Sequence, residues 1–241
     1  NMKTFRILSL LCCIALVLAC AKEDSQEKTY DYEAVFLGDS ITANWRNPEK
    51  GGHPEFFTSN NFLAMGYSGK TTAGLKKLFK ASVINQNPRQ VVILAGINDV
   101  AQNDGEYVPN EKIVENLAWM ANEATNNGIR VVLCSVTPSS AFWWSSVSHP
   151  EKTIIELNKL IKALADEKGY AYADYHSAMD NGSGGISSSY SNDAVHPNLA
   201  GYTVMEGIIL PILQAYKSAG ATAIELEVLN MFYSRDSHPV V

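Results

Sequence analysis

Ala34-Val35-Phe36-Leu37-Gly38-Asp39-Ser40-Ile41-Thr42 decides how the chain is read. A short apolar run stops at a glycine, an aspartate and a serine, and the chain then turns helical. An apolar run of this length, bounded by turn residues, reads as a buried strand. Gly38 is expected to allow a sharp strand-to-helix turn through a positive φ, which glycine enters at little steric cost. Ser40 would then project its hydroxyl above the strand's carboxyl end, beside the backbone N–H groups that open the next helix. Open α/β sheets place their sites at that edge. The competing reading is that Asp39 and Ser40 only cap the helix, since both types are favoured N-caps. The rest of the chain decides.

Strands and helices alternate outward from this stretch. Asn61 to Met65 reads as a second strand ending at Gly66, after an Asn/Pro/Gly-rich loop from Asn47 to Gly52. A helix is expected over Thr72–Lys80, then a third strand over Gln90–Ala95, stopped by Gly96. Glu111–Asn127 carries Ile113, Leu117, Met120 and Ala124 at three- and four-residue spacing, the mark of an amphipathic helix. Arg130–Val136 is the fourth strand, Pro150–Lys168 another amphipathic helix, and Ala171–Tyr175 the fifth strand. A Ser/Gly-rich loop (Asn181–Ser189) precedes Asp193-Ala194-Val195-His196-Pro197, and Leu199–Ser218 is the last long helix. Five near-continuous apolar strands alternating with helices imply a parallel sheet covered on both faces, an α/β/α three-layer sandwich. Within the tail, residues 221–241, Ile224–Val228 alternates like an edge strand whose place the sequence leaves open.

The chain has 241 residues, 46% hydrophobic and 18% charged, enough for one sizeable domain. A net charge of -6 provides no basic footprint, so nucleic acid is not an expected partner. Residues 1–19 read as a signal peptide: Lys3 and Arg6 precede an apolar stretch, Ile7–Leu18, too short to span a bilayer comfortably. Asn1, ahead of Met2, is expected to be a cloning remnant. The stretch ends Val17-Leu18-Ala19-Cys20, which resembles the lipobox of bacterial lipoproteins, with Cys20 the lipidated residue. An ordinary secretory signal is the alternative. Lys22-Glu23-Asp24 also resembles a surface-export signal of Bacteroidetes-type lipoproteins. Residues 20–30 then form a polar tether. The expected location is the cell envelope, at the outer membrane, with the periplasmic and outward faces both left open and the lipid as the only membrane contact. Cys12 and Cys13 leave with the signal, so Cys134 remains as a lone, buried small hydrophobe and no internal disulfide can form.

The polar residues that stand out fall just beyond strand ends: Ser40, Gly66, Asn98, and Asp193 with His196. In a parallel sheet those ends share one edge, so the five can converge. Their types suit acyl transfer. Ser40 would be the nucleophile, His196 the base that activates it and the acid that protonates the leaving alcohol. Asp193 can reach back to the other imidazole nitrogen and fix its tautomer. The Ser40 and Gly66 N–H groups and the Asn98 amide would hold the oxyanion, each worth about 3 kcal/mol of barrier.

Gly38-Asp39-Ser40, Gly66, Gly96-Ile97-Asn98-Asp99 and Asp193-Ala194-Val195-His196-Pro197 resemble, in order, the four blocks of the SGNH or GDSL hydrolases. That resemblance implies a flavodoxin-like α/β/α fold over residues 31–220 and a metal-free, cofactor-free ester hydrolase. It maps Ser40, Asp193 and His196 onto the catalytic triad and Ser40, Gly66 and Asn98 onto the oxyanion hole. Ile41 stands where the name-giving pattern has leucine, as in the branch resembling acetylhydrolases. The expected substrate is a small-molecule or glycan ester with a short acyl group, acetyl above all. A lysophospholipase or thioesterase acting on longer chains is the second reading, and a non-catalytic glycan-binding lipoprotein a third.

Other patterns weigh less. Asn98 could satisfy a turn, Asp99 could cap a helix, and 193–197 could be a loop entering a helix at proline. Gly66–Thr72 contains Gly-Lys-Thr after a strand, but a phosphate loop needs a glycine where the chain has Ala64, so no nucleotide is expected. His53, His149, His176 and His238 lack metal-ligand spacing. Phe142-Trp143-Trp144, with Trp45 and Tyr67, are candidates to line a substrate cleft, the alternative being packing against neighbouring helices.

Overall fold

The apolar run forms strand β1 (Ala34–Gly38), every residue of it buried. It lies inside a five-stranded sheet with β2 (Phe62–Gly66), β3 (Gln90–Leu94), β4 (Arg130–Cys134) and β5 (Ala171–Ala173), seen in a computed structural model that describes residues 28–215. All pairings are parallel, in the order β2-β1-β3-β4-β5. Gly38 lies opposite Gly66 on one side and Leu94 on the other, so the carboxyl ends of β2, β1 and β3 are level. The chain divides into two compact units, Asn1–Tyr30 and Asp31–Val241, and this fold belongs to the second.

The helices are α1 (Ser40–Trp45), α2 (Pro54–Ser59), α3 (Thr72–Ser82), α4 (Ile97–Val100), α5 (Asn110–Asn126), α6 (Pro150–Lys168), α7 (Tyr175–Met179) and α8 (199–215). Helical spacing in α5 buries Ile113, Leu117, Met120 and Ala124, and in α6 Ile154, Leu157, Ile161 and Leu164. These stripes pack α5 between α3 and α6. Side chains alternate across a strand, so Phe36 faces the side opposite Val35 and Leu37. Its ring meets Trp45 at 5.5 Å, Phe56 at 5.9 Å and Phe57 at 5.3 Å, all edge-on. Burying a ring such as Phe36 stabilises by roughly 1.5–3 kcal/mol. The expected α/β/α sandwich is what forms.

Several expectations need correction. Gly38 does not adopt a positive φ. It is needed for space, since a Cβ there would collide with Thr42 Oγ1 and lie 2.6 Å from the Leu94 carbonyl oxygen. β5 ends two residues early, because Asp174 turns to cap α7 and accepts from Ser177 N at 3.0 Å. Helix α2 was not anticipated: six residues starting at Pro54 carry too little periodicity to show. Trp45, proposed for the cleft, belongs to the core. It is 1% exposed, stacked on Phe56 (5.6 Å) and Tyr202 (5.4 Å), with its indole N–H donated to Glu206 at 3.0 Å. The signal peptide, Cys20, the end of the last helix and the 224–228 strand lie outside the described residues. Cys134 is buried, and burial pushes its thiol up to about 12.

Candidate active site

Asp39 and Ser40 divide the two roles that their neighbourhood suggested. Asp39 is the N-cap of α1, its Oδ1 accepting from Ile41 N at 2.9 Å. Ser40 is the first helical residue, and its hydroxyl is left for other work. Its own N–H is one of the donors that a helix start leaves without an intrahelical partner. Gly66, at the end of β2, abuts this turn: a Cβ there would lie 2.6 Å from the Thr42 carbonyl carbon. Glycine alone permits so close an approach.

Ser40 Oγ is 2.9 Å from His196 Nε2, and His196 Nδ1 is 2.7 Å from Asp193 Oδ2. The loop carrying these two residues arrives from α7 rather than directly from β5, and it leads into α8. Asp193 shapes it from within. Its Oδ1 accepts from Val195 N (2.9 Å), His196 N (2.7 Å) and Ser191 Oγ (3.2 Å). Ala194 pays for the tight turn with a φ of 65°, a left-handed conformation costly to a residue with a Cβ. Ser139, fully buried after β4, holds the Ala194 carbonyl at 3.2 Å. Burial alone would raise the Asp193 carboxyl, but the hydrogen bonds from the His196 ring, His196 N and Val195 N outweigh it and hold the pKa below its ordinary value. An ionised Asp193 orients the ring so that Nε2 is free to accept the Ser40 proton.

Asp39 has the opposite environment. It is 1% exposed, its Oδ2 has no partner among the described residues, and burial raises its pKa to about 7, against the Ile41 hydrogen bond and His196. Asp99 is likewise raised to about 6 by burial, against two hydrogen bonds from Thr72. It accepts Thr72 N at 2.8 Å and Thr72 Oγ1 at 2.6 Å, so it ties α4 to the start of α3 and does not cap its own helix.

Asn98, beside it and 2% exposed, donates from Nδ2 to the Lys70 carbonyl at 3.1 Å. The Gly66–Thr72 segment thus turns backbone carbonyls, Lys70 and Gly69, toward amide donors. A phosphate cradle presents N–H groups instead.

A cleft of about 350 Å³ opens at His196, lined by Asn44, Glu49, Lys50, Trp143, Asn192 and Asn198 among others. Of the five proposed aromatics only Trp143 lines it, 74% exposed, while Phe142 is buried in the core. Trp144 is half-buried, its ring 6.5 Å from the His196 ring and its Nε1–H donated to Asn103 Oδ1 at 2.8 Å. Tyr67 shares a 2.6 Å hydrogen bond with Ser82 Oγ and packs on the core. Sequence reading missed the carboxamides Asn44, Asn103, Asn192 and Asn198, which are indistinguishable there from ordinary turn asparagines. Among the described residues no group of three or more His, Cys, Asp or Glu could hold a metal ion.

The family model of the GDSL-like lipase/acylhydrolases matches residues 36–204, from the middle of β1 into α8. The chain belongs to that family. A GDSL-like lipase from Bacteroides thetaiotaomicron VPI-5482 is 32% identical, with a TM-score of 0.74 over 82% of this chain and 96% of that one. A protein from Bacteroides fragilis NCTC 9343 assigned as an acylhydrolase is 35% identical, with a TM-score of 0.73 over 80% of this chain and 89% of that one. Axe2, an acetylxylan esterase from Geobacillus stearothermophilus, shares the fold at 20% identity and a TM-score of 0.62, over 77% of this chain and 96% of Axe2. Uncharacterized lipoprotein YqeF of Bacillus subtilis (strain 168) is 30% identical over 80 residues, 32% of this chain, and the match spans about a third (33%) of that relative's length. Membership makes this GDSL-like chain an ester-hydrolysing enzyme.

Proposed function

We propose that the chain is a serine esterase that removes short acyl groups, acetyl above all, from glycans through an acyl-enzyme on Ser40. The observation that carries it is the Ser40–His196–Asp193 string, at 2.9 and 2.7 Å, opening into a cleft with an exposed indole wall. His196 Nε2 takes the proton as Ser40 Oγ attacks the ester carbonyl, and Asp193 stabilises the imidazolium that forms. The tetrahedral oxyanion is held by the Ser40 and Gly66 N–H groups and by the Asn98 N–H that Lys70 does not use. Collapse expels the alcohol, which receives the His196 proton. Water then attacks the acyl-Ser40 ester by the same route, releasing the carboxylic acid and restoring the serine.

The lining of the cleft supports a sugar. Carboxamides from Asn44 and Asn192 suit hydroxyl groups, and the Trp143 ring suits the apolar face of a pyranose. A long acyl chain would call for an extended apolar groove instead. Axe2 lends this reading the fold and nothing more at its level of identity. The lipobox-like Cys20 and the name of the YqeF relative support export as a lipoprotein; among the described residues no helix is long and apolar enough to cross a membrane.

Initial rates on p-nitrophenyl esters from acetate to palmitate, followed by acetate release from acetylated oligosaccharides, test the substrate. Turnover confined to acetate and propionate is expected. A maximum at long chains would replace glycans with lysophospholipids or thioesters.

A further inference from the structure

Trp144, Asn103, Asn98 and Lys70 form one string of hydrogen bonds whose direction is set at both ends. The indole N–H can only donate, so the Asn103 atom facing it at 2.8 Å must be the amide oxygen. Asn103 therefore presents its NH2 to Asn98, which accepts at Oδ1 at 2.8 Å. Asn98 in turn presents its own NH2 to the Lys70 carbonyl at 3.1 Å, and that oxygen can only accept. One Asn98 N–H is used there, and the second is left over. A second arm from Asn103 Nδ2 reaches the Gly69 carbonyl at 3.3 Å and braces the side chain.

An asparagine amide is nearly symmetric in shape, so packing alone does not choose which end faces a substrate. A flipped Asn98 would set its oxygen against the Lys70 carbonyl and its NH2 against the Asn103 NH2. Two bonds would become two repulsions. The string begins behind the cleft: the Trp144 ring lies 5.2 Å from that of Trp143 and 6.5 Å from that of His196.

We propose that Asn103 is a positioning residue, itself oriented by Trp144, which locks the Asn98 amide with its NH2 toward the reacting carbonyl. The proposal rests on the reading of Asn98 as an oxyanion donor. Asn103 is itself exposed and Asn98 is buried, so changing Asn103 leaves the core untouched.

The test is kcat and KM on p-nitrophenyl acetate for Asn98→Ala, Asn103→Ala, Asn103→Asp, Trp144→Phe and the Asn98→Ala/Asn103→Ala double variant. Asn103→Ala should lower kcat about tenfold, the scale of one net hydrogen bond, with KM little changed. Asn103→Asp should be slower still, because it keeps the acceptor for Trp144 but sets a carboxylate oxygen against Asn98 Oδ1. Trp144→Phe, which keeps the ring and loses the N–H, should cost a few-fold. In the Asn98→Ala background, Asn103→Ala should cost nothing further.

A merely structural anchor for the 140s loop would give the reverse pattern: Asn103→Asp tolerated, and additive losses in the double variant. Either result overturns the proposal. If Asn98→Ala is slow while the Asn103 variants keep wild-type kcat, the proposal alone falls. If Asn98→Ala turns over like wild type, the oxyanion reading falls with it.

Discussion

Trp45 and Asp39, in the helix and turn that carry Ser40, are each 1% exposed, whereas Trp143 on the cleft rim is 74% exposed and the Asp193 side chain 40%. A tryptophan and an aspartate from each region make two pairs with opposite fates. Trp45 is roofed by Phe56 and Tyr202, so its indole becomes core and its N–H needs Glu206. Trp143 has solvent on one side and stays available to a ligand. Asp39 keeps one oxygen unpartnered and is pushed up to about 7, while Asp193 is bonded on both oxygens and is held down. Residue type does not decide the role here; the second apolar layer and the count of donors do.

The largest expected effect on this contrast is at Asp193. Asn there still supports the loop through its side-chain oxygen but cannot hold the imidazole tautomer, so kcat should fall on the order of 10⁴-fold with little change in melting temperature. A drop below tenfold would mean that His196 is oriented by something else. Trp45→Ala should leave the string of Ser40, His196 and Asp193 chemically intact but destabilise the fold by about 3–5 kcal/mol, read from a urea transition. A loss below 1 kcal/mol would remove Trp45 from the core.

Asp39→Asn sharpens the contrast through pH. The folded pKa of about 7 lies above the ordinary 3.8, so between those values the folded state holds a proton that the unfolded state lacks. The stability this group contributes therefore falls as pH rises from about 4 to about 7. Asn keeps the cap without the charge, so the variant should gain on wild type across that window, by roughly 2 kcal/mol at pH 7 after relaxation around the buried charge. Melting temperatures at pH 4 and pH 7 for both proteins check it; a difference independent of pH would contradict it. Asp193 has the opposite sign, its contribution present above the ordinary carboxylate value and lost as pH falls through its lowered pKa. The smallest effect is expected at Trp143→Ala, a roughly tenfold rise in KM for an acetylated oligosaccharide, about 1.4 kcal/mol of apolar contact. Rates on p-nitrophenyl acetate and the melting temperature should not move. An unchanged KM would take Trp143 out of the sugar site.

The parallel sheet and the neighbourhood of Ser40, His196 and Asp193 were legible in the sequence for a physical reason. Buried parallel strands read as continuous apolar runs, and each site residue stood just past a run's end or in a short motif with fixed spacing. Pro150–Lys168 was legible to the residue because proline opens it and glycine closes it. Helix α2 and the early end of β5 were not, since six-residue helices and strand-end aspartates carry no period. The fate of the tryptophans was not legible either: burial of Trp45 depends on Phe56 in the unanticipated α2 and on Tyr202 in α8, far along the chain. Asn103 was invisible because its partners are Trp144, 41 residues away, and an asparagine five residues back in a polar turn.

The most direct measurement is the initial rate of p-nitrophenyl acetate hydrolysis by the wild-type chain and by Ser40→Ala, with circular dichroism and melting curves alongside. Steady turnover by wild type, reduced to near background in a variant with the same spectrum and melting temperature, is the expected result. A Ser40→Ala protein that still hydrolyses the ester at a rate near wild type would contradict an acyl-enzyme on Ser40.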